Sequence, residues 1–414
     1  MLIVLSAIVC RYLRGLYRQY LHPLSNFPGP PEAAVSDAWI QKQDVGGYPE
    51  AVIEKLHKKY DTRALRIAPN HIHISDIKLY KVIYSQVNPF PKYEPFYAGF
   101  NSPYTVFTEV DQVKHKARRQ LMSHMFSRAG VFKLEPVIRE RALMVDDKIQ
   151  RLLKNGDIDV YQAMRAFTTD IVMQFAFGRS AGMIQESEDN FNSWFSDCWS
   201  TASHGFHTML YNPWIRHLSN CLPIRLLSLI KTDLADFQSV INVCYLQNHV
   251  HLKNFCSRSV AQYAADSVQY WKESEKTQGE QTVLLDVLSG IPPADMASEA
   301  IDIIIAGADT TASSATVAIM EILTHPHIEA KLVQDLDASM PSRGDLPPLL
   351  ELEKIAYLTA CVKEAIRFAA AVPGRLPRVV PNRNQAFIVD NRVIPPGVGY
   401  PLRNATTCHA FILI

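Results

Sequence analysis

The chain has 414 residues, 48% of them hydrophobic, and a formal net charge of +1. That length can bury a sizeable core, and no linker run, low-complexity tract or internal repeat divides it, so one large domain is expected. A near-neutral chain with dispersed basic residues gives no case for nucleic-acid binding. Seven cysteines without a CxxC pair suit a reducing compartment better than a disulfide framework.

Met1 to Cys10 is apolar, but ten residues fall short of the roughly 20 that span a bilayer. Arg11, Arg14 and Arg18 follow, interleaved with Tyr12, Leu13, Leu16, Tyr17 and Tyr20, which reads as the cytosolic end of a signal anchor. No small-residue cleavage site follows, which argues against a secretory signal. Residues 1–24 are therefore expected to be a membrane-anchor segment, incomplete at its start, on the cytosolic face of the endoplasmic reticulum. Residues 25–414 are expected to form the catalytic-type domain.

Leu65 to Ile74 alternates apolar and polar residues around Pro69-Asn70 and predicts a short β-hairpin. Helical periods dominate Asp111 to Leu153, Phe167 to Phe177 and Leu226 to His251, while Trp271 to Gln281 is polar and reads as an exposed loop. His204, His207 and His217 are the densest histidine group, but Pro213 interrupts any helix joining them, and no metal site is assigned. Neither a Gly-x-Ser-x-Gly elbow nor an HExxH pair supports a hydrolase.

Ser298 to Met320 predicts an apolar helix whose middle reads Ala306-Gly307-Ala308-Asp309-Thr310-Thr311. Gly307 costs about 1 kcal/mol relative to alanine there, and a buried Asp309 costs more unless it is partnered. Thr310 follows Ala306 by one turn, so its hydroxyl can bond back to the i−4 carbonyl and loosen the ladder. Gly307 would let a flat ligand approach the backbone, and an acid beside an alcohol makes a proton relay. A packing patch of small residues is the competing reading.

Tyr357 to Arg367 predicts a second helix, with Glu364 and Arg367 three apart on one face. An exposed ion pair of small energetic value is one reading. Ala356, Ala360 and Ala371 suggest instead that this face is covered. Gly374 to Pro381 follows as a proline-rich loop holding Arg375 and Arg378.

Together these residues carry a resemblance. Ala306-Gly307-x-Asp309-Thr310-Thr311 resembles the distal-helix motif of the cytochromes P450, and Glu364-x-x-Arg367 resembles the ExxR pair of the same family. Gly374 to Pro381 resembles the segment after ExxR, His115-Lys116-Ala117-Arg118-Arg119 stands at the place of WxxxR, and Phe27 to Pro31 resembles the proline hinge after the anchor. The match runs from Tyr20 to Val398 in the style of fungal microsomal members.

The resemblance implies a mainly α fold with a small β part and a haem cofactor. Arg119 and Arg378 would hold its propionates, with His115 in place of the usual tryptophan. Gly307 would lie beside oxygen, Asp309 and Thr310 would manage protons, and Glu364 with Arg367 would stabilise the core. The implied activity is monooxygenation of a small apolar substrate, in secondary metabolism, with electrons from an NADPH-dependent P450 reductase.

One motif of the family is not matched. Its axial thiolate comes from a Phe-x-x-Gly-x-Arg-x-Cys-x-Gly loop, and none of Cys10, Cys198, Cys221, Cys244, Cys256, Cys361 and Cys408 stands in such a sequence. Val393 to Gly397 still reads as family, whereas the text beyond Gly399 departs from it. The expectation is a member truncated before its iron ligand, the alternative to a working enzyme being a catalytically silent relative or the product of a misread gene.

Overall fold

The computed structural model describes residues 2–102, 105–222, 226, 229, 260–274, 282–340, 346–372, 374–382, 386–397 and 407–410, the last four as backbone only. Helix dominates. In chain order the N-terminal part contains α1 (Leu2–Tyr20), α2 (Pro31–Val35), α3 (Ala38–Val45), α4 (Pro49–Tyr60), strands β1 (Ala64–Ala68) and β2 (His71–Ile74), α5 (Ile77–Ile83) and α6 (Glu94–Tyr97). Then come α7 (Gln112–Met122), α8 (Arg128–Phe132), α9 (Glu135–Leu152), α10 (Val160–Phe177), α11 (Trp194–Tyr211) and α12 (Pro213–Cys221). The C-terminal part contains α13 (Val260–Glu273), α14 (Leu284–Val287), α15 (Pro293–Thr324), α16 (Pro326–Ser339), α17 (Leu349–Leu352) and α18 (Ala356–Ala369). Strands β3 (Arg378–Val379), β4 (Phe387–Val389), β5 (Arg392–Ile394) and β6 (Thr407–Ala410) follow.

Local chemistry sets the helix ends. Asp111 caps α7 by accepting from the amides of Val113 and Lys114, Asp159 caps α10 through Gln162, and Ser193 caps α11 through Ser196. α10 stops at Gly178, which takes a left-handed φ of 75°. Pro293 starts α15, and Pro326 starts α16 directly behind it.

The main core is α15 packed against α10 and α13. Ile301, Ile304 and Ala308 of α15 are fully buried with Met173 and Ala176 of α10 and Ala264 of α13. Small residues bring the two long helices close. A Cβ on Gly307 would stand 2.4 Å from Cγ2 of Val172, and Thr168 Oγ1 donates to the Ala308 carbonyl at 2.7 Å. Gly307→Ala is therefore expected to destabilise the chain. Overpacking of about 1–3 kcal/mol outweighs the gain of about 1 kcal/mol in helix propensity. Adding Val172→Ala to that variant should recover part of the loss in a urea titration. A Gly307→Ala chain more stable than wild type would show that Val172 yields freely.

The predicted hairpin is β1 and β2, turning at Pro69-Asn70, but both of its faces are covered: Arg66 and His73 are buried with Ile72 and Ile74. β6 pairs with β2 in parallel and with β3 antiparallel, giving the order β1-β2-β6-β3. β4 and β5 form a separate hairpin over Asp390 and Asn391, both at positive φ. The proline hinge lies on β1: the Arg66 amide donates to the Pro28 carbonyl at 2.7 Å, and a Cβ on Gly29 would meet the Arg66 carbonyl oxygen at 2.2 Å.

Two predicted boundaries shift. Trp271 is not loop: it closes α13, and its indole N–H donates to Asp286 at 2.7 Å. Apart from Leu226 and Leu229, the helical period from Leu226 to His251 lies outside the described residues, as do Gln281 and the segment 398–406 beyond the Val393 turn.

Candidate functional site

α15 is one continuous helix of 32 residues, and the chemistry expected of its middle is split between two faces. Asp309 turns toward α10. Its Oδ1 lies 2.8 Å from Nε of the buried Arg165 and accepts from the Tyr161 hydroxyl at 2.9 Å. Arg165 also donates to Ser196 of α11 at 2.9 Å, so the acid belongs to a network tying three helices together. Burial, and next the Asp309 charge, push the Tyr161 phenol above its ordinary range.

Thr310 takes the other face. Its hydroxyl donates to the Ala306 carbonyl at 2.6 Å, the predicted i−4 bond, yet the helix keeps its α geometry throughout. Ala306 is exposed beside it. Gly307 does not share this open face: it meets Val172 of α10, so its bareness serves helix packing.

The first turns of α15 hold the loop between α6 and α7. Glu299, 1% exposed, accepts from the Val106 amide at 3.1 Å and from Arg118 at 3.2 Å, while Arg118 also reaches Asp295 at 3.7 Å. Ser102 donates to Asp302 at 3.1 Å. Phe100 of this loop region stacks on Phe96, Phe107 and Phe206 at ring separations of 5.6, 4.8 and 4.8 Å, a continuous apolar wall. Val372 is 66% exposed and stands outside that stack.

A cationic cluster forms where the chain passes α7 and β3. Lys92 bridges backbone to backbone with Arg378. Its ammonium donates to the carbonyls of Val106 and Phe107 at 2.9 and 2.8 Å. Arg378 donates to the Tyr97 hydroxyl and lies 4.9 Å from the centre of the Tyr84 ring. Burial lowers the Lys92 pKa to about 8, with Arg378 adding to the effect. His115 is driven down to about 4, first by burial and then by Lys92, Arg119 and Arg378, with only Glu109 opposing. Three strong bases and a neutral imidazole crowded around one point form a site for an anion of more than one charge.

The neighbouring arginines sort themselves out. Arg118 is taken up by Glu299 and Asp295, whereas Arg119 has no acidic partner among the described residues. Arg375 is buried and bonds Asp44 and Tyr211, which leaves Arg378 as the arginine of that loop in the cluster. Lys92 was missed from sequence; a lysine between two prolines carries no local signal of the strand it meets.

Glu364 and Arg367 do pair on α18, with Nε 2.9 Å from Oε2, but their side chains are 62% and 44% exposed. Ala356 and Ala360 are exposed as well, so the described residues do not cover this face. The ion pair forms from spacing alone, and only tertiary packing could bury it.

The mainly helical architecture agrees with what comparison finds. The cytochrome P450 family model matches residues 28–399, and the chain belongs to that family. It is 28% identical to the cytochrome P450 monooxygenase aneF of Aspergillus aculeatus over 413 residues, covering 95% of this chain and 77% of the relative. It is 29% identical to sdnE of Sordaria araneosa over 412 residues, covering 95% and 76%. Against macH of Penicillium terrestre the identity is 27% over 400 residues, covering 93% and 74%. Both of these are likewise cytochrome P450 monooxygenases.

Proposed function

We propose that the chain is a haem-dependent monooxygenase of fungal secondary metabolism acting on a small, largely apolar substrate. The observation that carries this reading is the grouping of Lys92, His115, Arg119 and Arg378, in which Arg119 has no acidic partner among the described residues. That donor set fits the two carboxylates of a haem. Haem, when bound through a cysteine thiolate, supplies the oxygen-activating chemistry.

The chain's own residues then divide the work. Arg119 and Arg378 grip the carboxylates, with Lys92 and His115 beside them. Thr310 presents a hydroxyl on the open face of α15, and Asp309, fixed by Arg165 and Tyr161, holds a charge one residue away. Such an acid and alcohol position and pass protons. The stacked Phe96, Phe100, Phe107 and Phe206 exclude water from an apolar substrate. α1, with Val4, Leu5, Ile8 and Leu13 exposed and Arg11, Arg14 and Arg18 along it, would attach the domain to the cytosolic face of the endoplasmic reticulum. Electrons would come from an NADPH-dependent reductase.

Titrating the full chain with ferric haem, followed by Soret absorbance, tests the reading. Arg119→Gln, at an exposed position with no ion pair to break, is expected to weaken uptake by about tenfold, or about 1.4 kcal/mol. Unchanged affinity there and in Arg378→Gln would remove the carboxylate-holding role. In the reduced, CO-bound chain, a red-shifted Soret band marks thiolate ligation. An unshifted band would favour the catalytically silent relative.

A further inference from the structure

Lys92 directs its ammonium at a loop, and holding a haem does not require that. Its main chain is fixed on both sides by the segment that leads into β3. The Tyr93 amide donates to the Pro377 carbonyl at 3.2 Å, and the Val379 amide to the Pro91 carbonyl at 2.8 Å. From this bridge the side chain passes the buried Tyr97, with Nζ 5.2 Å from the ring centre. It ends on the carbonyls of Val106 and Phe107, at 2.9 and 2.8 Å.

Those carbonyls belong to a turn over residues 105–108. The Glu109 amide closes it onto the Thr105 carbonyl at 2.9 Å, and the Thr105 hydroxyl accepts from the Thr108 amide at 3.2 Å. These bonds leave the carbonyls of Val106 and Phe107 to an outside donor, and one ammonium serves both. Glu299 of α15 accepts from the Val106 amide of the same turn at 3.1 Å. A cation and an anion from distant parts of the chain thus bracket one turn, each through main-chain atoms. The turn carries Phe107, whose ring lies 4.8 Å from Phe100 and 5.5 Å from Tyr97, so its place decides where the apolar wall stands.

We propose that Lys92 is a positioning residue for the substrate, its ammonium and Glu299 together clamping the turn that holds Phe107 in the apolar wall. This deepens the monooxygenase reading and rests on it for that wall's contact with substrate. An ionised donor makes such bonds about twice as strong as a neutral one, so the clamp works by charge. Burial, and next Arg378, lower the Lys92 pKa to about 8, while Glu109, Glu299 and Asp302 act to keep the charge. His115, the remaining base beside it, is driven down to about 4 and is neutral where Lys92 titrates.

The test follows the full chain from pH 7.5 to 9.5 by two measurements. One is hydrogen exchange of residues 105–108, with the amides of α10 as reference. The other is calorimetric binding of 4-phenylbutanol, which has no titrating group in this range. In wild type the relative protection of the turn should fall about tenfold as Lys92 loses its proton, and affinity for the alcohol should fall with it. Lys92→Met should show the low values already at pH 7.5 and no further fall. Lys92→Arg, which keeps its charge throughout, should remove the pH dependence at the protected end. A flat wild-type profile in either measurement overturns the proposal, whether or not the variants fold. So does a wild-type profile in Lys92→Met, or failure of the alcohol to bind at pH 7.5 with and without haem. Haem uptake is measured separately: a chain that takes up haem with a flat profile loses only the clamp. A chain with the expected profile that takes up no haem loses only the monooxygenase reading.

Discussion

Asp309→Ala is expected to cost about 3 kcal/mol of folding stability, whatever it does to activity. Removing one partner of a buried ion pair strands the other, and such losses run at about 3–5 kcal/mol. The low end applies because Asp309 is 28% exposed, whereas Arg165 is only 7% exposed and keeps Ser196. The Tyr161 hydroxyl loses its acceptor in the same step. Thr310→Ala, one residue on, removes a single bond to the Ala306 carbonyl and should cost less than about 1 kcal/mol. Urea unfolding of the two variants separates these values. If Asp309→Ala unfolds with the wild-type midpoint, the acid is not structurally committed to α10. Activity comparisons would then read the relay directly; otherwise only Thr310 variants report on proton handling without a folding term.

This split was not visible in the run Ala306 to Thr311. Periodicity placed the helix and the i−4 bond of Thr310, because both depend on neighbours within one turn. Which way Asp309 faces depends on Arg165 and Tyr161, carried by a helix far away in sequence, and nothing in the motif names them. The same limit explains Gly307: its spacing is equally good for a ligand face and for a helix crossing, and only Val172 decides between them. Arg378 could be preferred over Arg375 by position, but the reason emerged from Asp44 and Tyr211, which occupy Arg375. Lys92, Glu299 and Asp302 were passed over for a common cause. Each sits in an ordinary local pattern, and its importance comes from a partner such as Arg378, Arg118 or Ser102 brought in by the fold. Glu364 and Arg367 show the converse, a pair fully legible from spacing whose burial was not.

Acid should destabilise the sheet end of the molecule, and more steeply once Asp302 is neutralised. His57, His71 and His73 gather around β1 and β2. His57 Nδ1 lies 2.7 Å from the Thr62 carbonyl and therefore donates to it, so its Nε2 accepts from His73 Nδ1, also at 2.7 Å. His57 cannot take a further proton on Nε2 without breaking this bond, whereas a second proton on His73 would go to its Nε2, inside the buried sheet. Burial lowers all three, His71 to about 3 and His73 well below its usual value. A base whose folded pKa is depressed binds its proton preferentially in the unfolded chain, so stability is present above about 6.5 and is lost as pH falls toward the folded value. Between pH 7 and 5 this amounts to about 2 kcal/mol for His71, with His73 acting in the same direction. Asp302 acts in the opposite sense. Its pKa of about 7 is raised above the unfolded value, so the folded chain takes up a proton over the same interval and regains about 2 kcal/mol. In urea titrations at pH 7 and 5, Asp302→Asn should therefore lose about 2 kcal/mol more than the wild type. Parallel pH dependence in the two chains would mean that Asp302 stays ionised down to pH 5 in the folded state. A flat profile in both would mean that the histidines find room to protonate where they stand.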